Sequence, residues 1–392
     1  MFDGIAAPPP DPVYQAMLRY NLDDRPERMD LGIGVFRDEL GQSPVFAAVA
    51  QAERELAGAE GSKAYLPLAG DAEFLEALAS LIFPDHKARA AIIQSTGGTG
   101  AVRLAYDLVK LGNPGARLHL GLPSWPNHAA IADAVGLELR IYQYAPRESS
   151  AVDFDSMLAS ARSCTAGDAF ILHGPGHNPT GLDLTRVQRG QILRVLRERG
   201  AVPIIDAAYW GLCDGIEADL RELREDLSVV GEALVAVSCS KAFGLYRERA
   251  GALFAFTDSS TRRSVIQASL ERISRAQVST APAHGAAIIT RILADQRLKM
   301  LWADELSRMR ARTDALRARL GELADEAPQL ANVPLGRGLF AMLPISSDDV
   351  DHLSSDHAIH LPSSGRINIT GLKMGDPERL ARALRNLAVR RK

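Results

Sequence analysis

The sequence lacks the features of several protein classes. It has only three cysteines in 392 residues, widely spaced and without a CxxC pair, so neither a disulfide framework nor a structural zinc site is expected. No apolar run reaches the length of a membrane span. The first residues, MFDGIAAPPPDPVY, carry an acid and prolines where a signal peptide needs a basic segment and an apolar stretch. We therefore predict a protein of the reducing cytoplasm with no membrane partner and no metal.

An excess of positive charge is also missing. Lys plus Arg number 45 and Asp plus Glu number 48, which gives a formal charge of −3. Proteins that bind nucleic acid through its phosphates need a basic surface, so no nucleic-acid partner is expected. The length of 392 residues is enough for a large core and two or three domain-sized units.

From about residue 90 the chain alternates short apolar runs with amphipathic stretches. Several runs are apolar on both faces, as strands of a buried parallel sheet must be, and the alternation predicts βαβ units with helices on both sides of a sheet. The strand-like runs are AAIIQST, RLHLGLP, LELRIYQY, AFILHGP, VPIIDAAY, ALVAVSCS and AGALFAF. The fold class is therefore α/β.

The two ends of the chain have a different character. The start is rich in proline (Pro8, Pro9, Pro10 and Pro12), which predicts an extended arm followed by a helix near 13–20. After residue 260 the pattern is helical for some 65 residues, and the tail from about 335 returns to short strands and a final helix. We predict an arm and part of a small α+β domain at 1–42, a large domain at 43–310, and the rest of the small domain at 311–392.

Ligands of open parallel sheets bind at the carboxyl ends of the strands, so the polar residues that follow each strand are candidates for a site. Gly98 and Thr99 belong to a GGTG turn before a helix, which either cradles an anion or is a plain glycine-rich turn. Trp125 could stack on a flat ring or belong to the core. Asn178, in HNPTG, either forms a turn or donates to an oxyanion, and we predict a cis bond at 178–179.

Asp206 and Lys241 carry the strongest chemical signal. Asp206 ends an apolar strand, where a carboxylate must be solvated or paired, and Tyr209 follows within reach of the same ligand. Lys241 is one of only seven lysines and also follows a buried-type strand. There a lysine has a lowered pKa and can form a Schiff base, unless it extends to water. Three neighbouring side chains predict a phosphate site: Ser238, Ser240 and Arg249.

Taken together, these residues describe a site for pyridoxal 5′-phosphate, and the chain resembles the aspartate and aromatic aminotransferases of the fold-type I pyridoxal-phosphate enzymes. The matching stretches are LGIGVFRDELG, AYLPLAGDAEF, GGTGA, PSWPNH, HGPGHNPTG, DAAY, SCSKAFGLYRERAG, APAHGA and GRINITG. They run in the family's order from about residue 10 to the end. SCSKAFGLYRERAG is highly specific, whereas GGTG by itself is not. The resemblance implies a large domain with a mostly parallel seven-stranded sheet and an aminotransferase with ping-pong kinetics.

The resemblance also implies a role for each candidate residue. Lys241 would carry the cofactor as a Schiff base and move the substrate proton, and Asp206 would pair with the ring nitrogen. Asn178 and Tyr209 would bond the ring oxygen, and Trp125 would stack on the ring. The remaining implied cofactor contacts are phosphate ligands (Gly98, Thr99, Ser238, Ser240 and Arg249), a phosphate contact from a partner subunit (Tyr65), and supports of Asp206 (His128 and His173). The contact from Tyr65 implies a homodimer with shared sites.

Substrate recognition is implied by two arginines. Arg366 would clamp the α-carboxylate of the amino acid, with Trp125 and Asn178 beside it. Arg275 would reach from the other subunit to the distal carboxylate of aspartate or glutamate, although it also fits a surface arginine at a helix end. Gly34, with its neighbours at 33 and 35, would line the substrate side from a mobile small domain.

Four positions depart from the aspartate-selective pattern and remove polar anchors or volume around the pocket: Ala64, Ala207, Val278 and Thr280. We therefore predict transfer from dicarboxylic and aromatic L-amino acids to 2-oxoglutarate. The alternatives are a narrow aspartate aminotransferase, or a lyase or decarboxylase on the same fold. Retention of both Arg275 and Arg366 argues against the lyase and decarboxylase.

Two other classes fit less well. A regulator with an aminotransferase-like ligand domain normally adds an N-terminal DNA-binding module, but the matching stretches begin near residue 10 and the charge is wrong. A nicotinamide dehydrogenase would need the GxGxxG spacing, which GGTG lacks.

Overall fold

The computed structural model describes residues 2–4, 6–7, 11–58 and 62–390. Of the predicted arm, Pro8, Pro9 and Pro10 lie outside the described residues. Pro12, predicted to belong to the arm, is instead the first residue of a helix, where its missing N–H has no cost.

Within the described residues the strands are β1 (Met29–Asp30), β2 (Ala90–Thr96), β3 (Arg117–Leu122), β4 (Glu138–Gln143), β5 (Ala169–His173), β6 (Val202–Ala207), β7 (Ala233–Ser238), β8 (Ala250–Phe256), β9 (Phe340–Met342), β10 (Ile359–His360) and β11 (Arg366–Asn368). The α-helices are α1 (Pro12–Leu22), α2 (Ala47–Ala57), α3 (Ala72–Ile82), α4 (Gly97–Gly112), α5 (Asn127–Val135), α6 (Phe154–Ser163), α7 (Arg186–Arg199), α8 (Ile216–Val229), α9 (Ser260–Gln277), α10 (His284–Ala294), α11 (Gln296–Glu322), α12 (Ser347–His357) and α13 (Asp376–Arg390). Short 3-10 turns lie at Phe2–Gly4, Lys87–Arg89, Pro328–Leu330, Val333–Leu335 and Ile369–Gly371. No helix within these residues is long and apolar enough to cross a membrane.

Seven strands form one sheet in the order β2-β8-β7-β6-β5-β3-β4. β8 runs antiparallel to β2 and β7, and the other neighbours are parallel. Each of the seven apolar runs singled out in the sequence forms one of these strands. In the register, His173 of β5 lies beside Asp206 of β6, which lies beside Ala236 of β7. The carboxyl ends of the three central strands therefore meet at one edge.

The inner strands of the sheet are buried on both faces, which explains why they are largely apolar, whereas the edge strand β4 is mostly exposed. In β7, Leu234 and Ala236 pack into one hydrophobic cluster with side chains of α4, while Val235 and Val237 pack into another on the opposite face. A strand whose alternate residues face two cores cannot carry the polar positions of a half-exposed strand.

A second, separate core is built from both ends of the chain. It joins Met29 and Leu31 to apolar side chains between residues 316 and 387. β1 pairs with β10 in parallel, and β9 pairs with β11 antiparallel. The long helix α11 serves both cores, since Met309 belongs to the large one and Leu316 to the small one. The boundary predicted at 310/311 lies inside this helix, and both predicted domain boundaries stay predictions.

Candidate active site

One cavity lies at the carboxyl edge of the central strands. Its walls contain eleven of the residues that the sequence analysis singled out. The lining residues are Gly98, Thr99, Trp125, His173, Asn178, Asp206, Ala208, Tyr209, Ser238, Ser240, Lys241 and Arg249. The parallel register of β5, β6 and β7 brings these residues together, because the loops that follow the three strands open on the same side.

Asp206 lies at the floor of this cavity and is 8% exposed. Its Oδ2 is 2.9 Å from Nε2 of His128, while its buried Oδ1 has no hydrogen-bond partner. Burial raises the pKa of Asp206, but the hydrogen bond from His128 and the charges of His128, His173 and Lys241 together outweigh this effect, and the net pKa lies below its ordinary value. A charged carboxylate with one free oxygen is thus held ready for a cationic partner.

A chain of hydrogen bonds continues behind Asp206. The Oγ of Ser124 lies 2.9 Å from Nδ1 of His128 and 3.2 Å from Nε2 of His173. Burial lowers the pKa of His173 to about 3, so this ring is neutral at physiological pH. His128 and His173 therefore lie where the sequence predicted supports of Asp206, although their roles stay predictions.

Lys241 follows the end of β7 and is half-buried in the cavity wall, with Nζ 5.1 Å from the centre of the Tyr209 ring. Burial lowers its pKa from 10.5 to about 8, helped by the charges of Arg249 and Arg366 and opposed by Asp206. Near neutral pH an appreciable fraction of an amine with this pKa is uncharged, and the uncharged form can act as a nucleophile or as a base.

An anion cradle lies at the N-terminus of α4. The N-cap residue Thr96 makes no side-chain capping bond, so the first N–H groups of the helix remain available. A Cβ at Gly98 would lie 2.9 Å from Cβ of Ser238, so only glycine allows this close approach. Arg249 donates through Nη1 to Oγ of Ser240 at 3.3 Å. Hydroxyls, a guanidinium and a helix N-terminus together suit a phosphate group.

Asn178 links the cavity to the second core. Its Nδ2 donates to the hydroxyl of Tyr209 at 3.4 Å, and its Oδ1 accepts from Nη1 of Arg366 at 3.1 Å. Burial raises the pKa of Tyr209, so its hydroxyl keeps its proton. The Asn178–Pro179 bond is cis, as predicted, and a second cis bond at Leu122–Pro123 was not anticipated.

Arg366 comes from β11 of the small core and is 5% exposed. It donates through Nη2 to the backbone oxygen of Gly32, and its Nε has no partner. The guanidinium lies over the ring of Phe340, 4.7 Å from its centre. Gly34 lies beside the same ring, since a Cβ there would be 3.0 Å from Cζ of Phe340. Arg366 therefore contacts Asn178 of the cavity wall and Gly34 lies beside Phe340, while the substrate-binding roles of both residues stay predictions.

Phe340 was not among the predicted site residues. It also packs edge-on against Tyr209, with ring centres 5.4 Å apart. The aromatic residue in GLFAML, two positions after a glycine, was the available signal, but nothing local connects it to Arg366.

Two predicted residues lie away from the cavity. The side chain of Tyr65 is 90% exposed, and Arg275 is exposed in the last turn of α9. Both were assigned to the site of a second subunit, and their roles stay predictions.

The lowered pKa of Lys241 predicts a measurable effect on stability. In the ligand-free protein we expect Lys241→Met to raise the free energy of unfolding at pH 7 by about 1–3 kcal/mol, because a buried amine costs energy when it is charged. Between pH 8 and 10.5 the unfolded wild-type chain binds more protons than the folded one, so the wild-type free energy of unfolding rises with pH. The difference in free energy of unfolding between the variant and the wild type therefore shrinks over this range and vanishes above pH 10.5. Urea unfolding at pH 7 and at pH 10.5 measures both values. An equal difference between the two proteins at both pH values would contradict the lowered pKa.

Comparison with known proteins gives the same assignment as the site. Residues 26–384 match the family described as aminotransferase class I and II. The chain is 43% identical over 385 residues to the tyrosine aminotransferase of Rhizobium meliloti (strain 1021), covering 97% of this chain and 98% of that one. It is 36% identical over 382 residues to the aspartate aminotransferase of Salmonella typhi, covering 95% of this chain and 96% of that one.

The fold gives a further match. The solved aromatic-amino-acid aminotransferase from Burkholderia pseudomallei, covalently bound to pyridoxal phosphate, superimposes with a TM-score of 0.94 at 34% identity and covers 99% of both chains. The predicted fold class and the predicted family are both confirmed by these likenesses. With its sheet, its cavity and its near full-length similarity all in agreement, the chain belongs to the class I and II aminotransferases.

Proposed function

We propose that this aminotransferase uses pyridoxal 5′-phosphate to move the amino group of dicarboxylic and aromatic L-amino acids to 2-oxoglutarate. The observation that carries the proposal is a single cavity that holds an amine with a pKa of about 8, an unpartnered carboxylate oxygen and an anion cradle. These are the groups required by a cofactor that has an aldehyde, a ring nitrogen and a phosphate.

The residues of the cavity fit this cofactor at each of its functional groups. The free Oδ1 of Asp206 would accept a hydrogen bond from a protonated ring nitrogen, which removes the cost of a buried unpaired oxygen. Lys241 would attach to the aldehyde, and the N-terminus of α4 with Arg249 would hold the phosphate. Trp125, in the cavity wall, offers a flat face for the ring.

When bound, the cofactor supplies an electron sink that stabilises the charge left on the substrate Cα after its proton is removed. Lys241 is the base that takes this proton, because about a tenth of an amine with a pKa near 8 is uncharged at pH 7. Asp206 keeps its negative charge throughout, since its pKa is lowered and no proton is retained on it near neutral pH.

Arg366 would bind the α-carboxylate of the substrate. Its Nη1 already contacts Asn178, its Nε is free, and the ring of Phe340 supports the plane of the guanidinium. A planar fork held in this way orients a carboxylate more firmly than a flexible lysine could.

The side-chain end of the substrate is assigned to a second subunit. Exposed Tyr65 and Arg275 support a homodimer in which each chain completes the site of the other, with Arg275 binding a distal carboxylate. The names of the relatives, one a tyrosine and one an aspartate aminotransferase, support the use of both substrate classes. The cytoplasm remains the predicted location.

The proposal predicts activity with both classes of side chain. We expect L-aspartate, L-phenylalanine and L-tyrosine each to yield one glutamate per molecule of 2-oxo acid, with kcat/KM values within about 100-fold of one another, because apolar pockets discriminate weakly. Steady-state assays with 2-oxoglutarate measure both quantities. An efficiency for the aromatic substrates more than about 1,000-fold below that for aspartate would reject the aromatic half. Cleavage products without glutamate would indicate a lyase or a decarboxylase.

A variant of Arg275 separates the two classes within one protein. Arg275→Ala should lower kcat/KM for aspartate by about 10- to 100-fold, because a charge-assisted hydrogen bond is lost, and should leave phenylalanine nearly unchanged. Arg272→Ala, one turn earlier on the exposed face of α9, is the matched control. Equal losses for aspartate and phenylalanine would contradict the assignment of Arg275.

A further inference from the structure

Arg337 joins two parts of the molecule that are far apart in sequence. It lies between the 3-10 turn Val333–Leu335 and β9, on the chain that leads to Phe340. Its guanidinium makes three ion pairs at once: Nε with Asp183 at 2.5 Å, Nη1 with Asp214 at 2.5 Å, and Nη2 with Glu222 at 2.8 Å. All three carboxylates belong to the loops and helix that surround the large sheet. Arg337 thus connects these three carboxylates to the segment that leads into β9.

Asp183 is the partner that reaches the candidate active site. Its Oδ2 also accepts from the backbone N–H of Gly176 at 2.8 Å, and its Oδ1 accepts from that of His177 at 2.9 Å. These two N–H groups belong to the turn that carries Asn178. Burial raises the pKa of Asp183, and the charge of Arg337 opposes that rise. Arg337 therefore supports the charged form that holds the turn.

The backbone of the two segments is also in direct contact. The N–H of Arg337 donates to the oxygen of Gly181 at 2.8 Å. A Cβ at Gly181 would lie 2.4 Å from the backbone oxygen of Phe340, and the φ of +71° at this glycine also disfavours any side chain. Buried Arg317 of α11 donates to the oxygens of Gly338 and Phe340. These contacts leave the backbone between Arg337 and Phe340 little freedom, so a shift of Arg337 would also move Phe340.

We propose that Arg337 is a positioning residue that couples the turn carrying Asn178 to the strand carrying Phe340, and so sets the geometry in which Asn178 and Arg366 receive the substrate carboxylate. Asn178 contacts Arg366 directly, and Phe340 lies beneath the guanidinium of Arg366. The guanidinium of Arg337 thus positions both Asn178 and Phe340, the two residues that contact Arg366. The inference rests on the proposed function, in which Arg366 binds that carboxylate.

Asp183→Asn and Asp214→Asn form a matched pair of test variants. Each removes one negative charge from the same guanidinium without changing the shape of the side chain. Of the two, only Asp183 accepts hydrogen bonds from the turn of Asn178, whereas the side chain of Asp214 is 58% exposed and pairs with a different nitrogen of Arg337, Nη1. The holoenzyme is assayed for KM with aspartate and 2-oxoglutarate, for the Kd of succinate as an unreactive dicarboxylate, and for the pH midpoint of the visible cofactor band.

We expect Asp183→Asn to raise both KM values and the succinate Kd about tenfold and to shift the pH midpoint, because Asn178 and Tyr209 would move relative to Arg366. Asp214→Asn should stay within about twofold of the wild type, since exposed ion pairs contribute little. Arg337→Gln should change the same quantities more strongly, and if it does not fold, the Asp183 and Asp214 comparison decides alone.

The proposal is overturned if the two asparagine variants behave alike, or if Asp183→Asn lowers the melting temperature without moving KM, the succinate Kd or the pH midpoint. A wild-type protein that shows the cofactor band but no transamination would reject the proposed function instead. In that case the succinate and pH measurements would still test Arg337.

Discussion

Replacing Lys241 with alanine is expected to lower kcat by at least about 10⁴-fold, because in the proposed function this one side chain would serve both as the attachment point of the cofactor and as the base. Within the cavity wall no other lining residue offers an amine. The neighbouring groups cannot take over its work, since Asp206 keeps a lowered pKa and the raised pKa of Tyr209 keeps its hydroxyl protonated. Turnover of aspartate with 2-oxoglutarate at saturating substrate and cofactor measures the loss.

The same variant should keep its phosphate site. Gly98, Ser240 and Arg249 do not depend on the amine, so the variant should still take up pyridoxal 5′-phosphate without covalent attachment. Lys110→Ala is the control lysine, because the half-buried Lys110 lies in the last turn of α4, at the end away from the anion cradle, and donates to the backbone oxygen of Gly136. It should retain wild-type turnover. Near wild-type turnover of Lys241→Ala would refute the assignment of Lys241.

The large sheet could be predicted from the sequence because burial on both faces leaves a plain local pattern. β7 and β8 are buried at every residue, so each reads as a short uninterrupted apolar run. The site residues on the sheet could be predicted for a related reason. A parallel register aligns the ends of β5, β6 and β7, so polar residues directly after each strand must converge.

The secondary structure of the small core was harder to predict from the sequence, because its strands are short. β1 and β10 are two residues long and pair through Met29 and Ile359, which are 330 residues apart in sequence. No local pattern specifies such a pairing, because its stability comes from the surrounding packing. α12 has few apolar residues, and its clearest sign was the capping box of Ser346 and Asp349.

The links between the two cores could not be predicted either. Arg337 and Asp183 are 154 residues apart, and neither stands out in composition. Arginine is common in this chain and aspartate is a usual loop residue, so only the folded structure identifies them as partners. Phe340 was missed for the same reason. Its importance comes from the guanidinium of Arg366 above it, not from any motif of its own.

Asp206→Asn should lower kcat by about 10²- to 10⁴-fold, because in the proposed function it would remove, at nearly constant size, the negative charge that pairs with a cationic ring nitrogen. Breaking a buried charge pair from one side costs about 3–5 kcal/mol, which corresponds to this range. The free oxygen of Asp206 is buried, so water cannot replace the lost charge. Single-turnover mixing of the holoenzyme with aspartate, followed by the visible absorbance, measures the step in which the Cα proton is removed.

His128→Gln provides the graded comparison for this prediction. It keeps the carboxylate of Asp206 and replaces the imidazole, whose hydrogen bond to Oδ2 and charge lower the pKa of Asp206, with a neutral amide. The contact of the ring with Ser124 is lost as well. The loss should be about tenfold, below that of Asp206→Asn, because the carboxylate stays charged and weakening one hydrogen bond to a charged group costs about 1.5 kcal/mol. Both variants should still bind the phosphate of the cofactor in the anion cradle. If Asp206→Asn retained the wild-type rate while His128→Gln lost it, the charge on Asp206 would not be what the reaction needs, and the histidine itself would have to carry the proton.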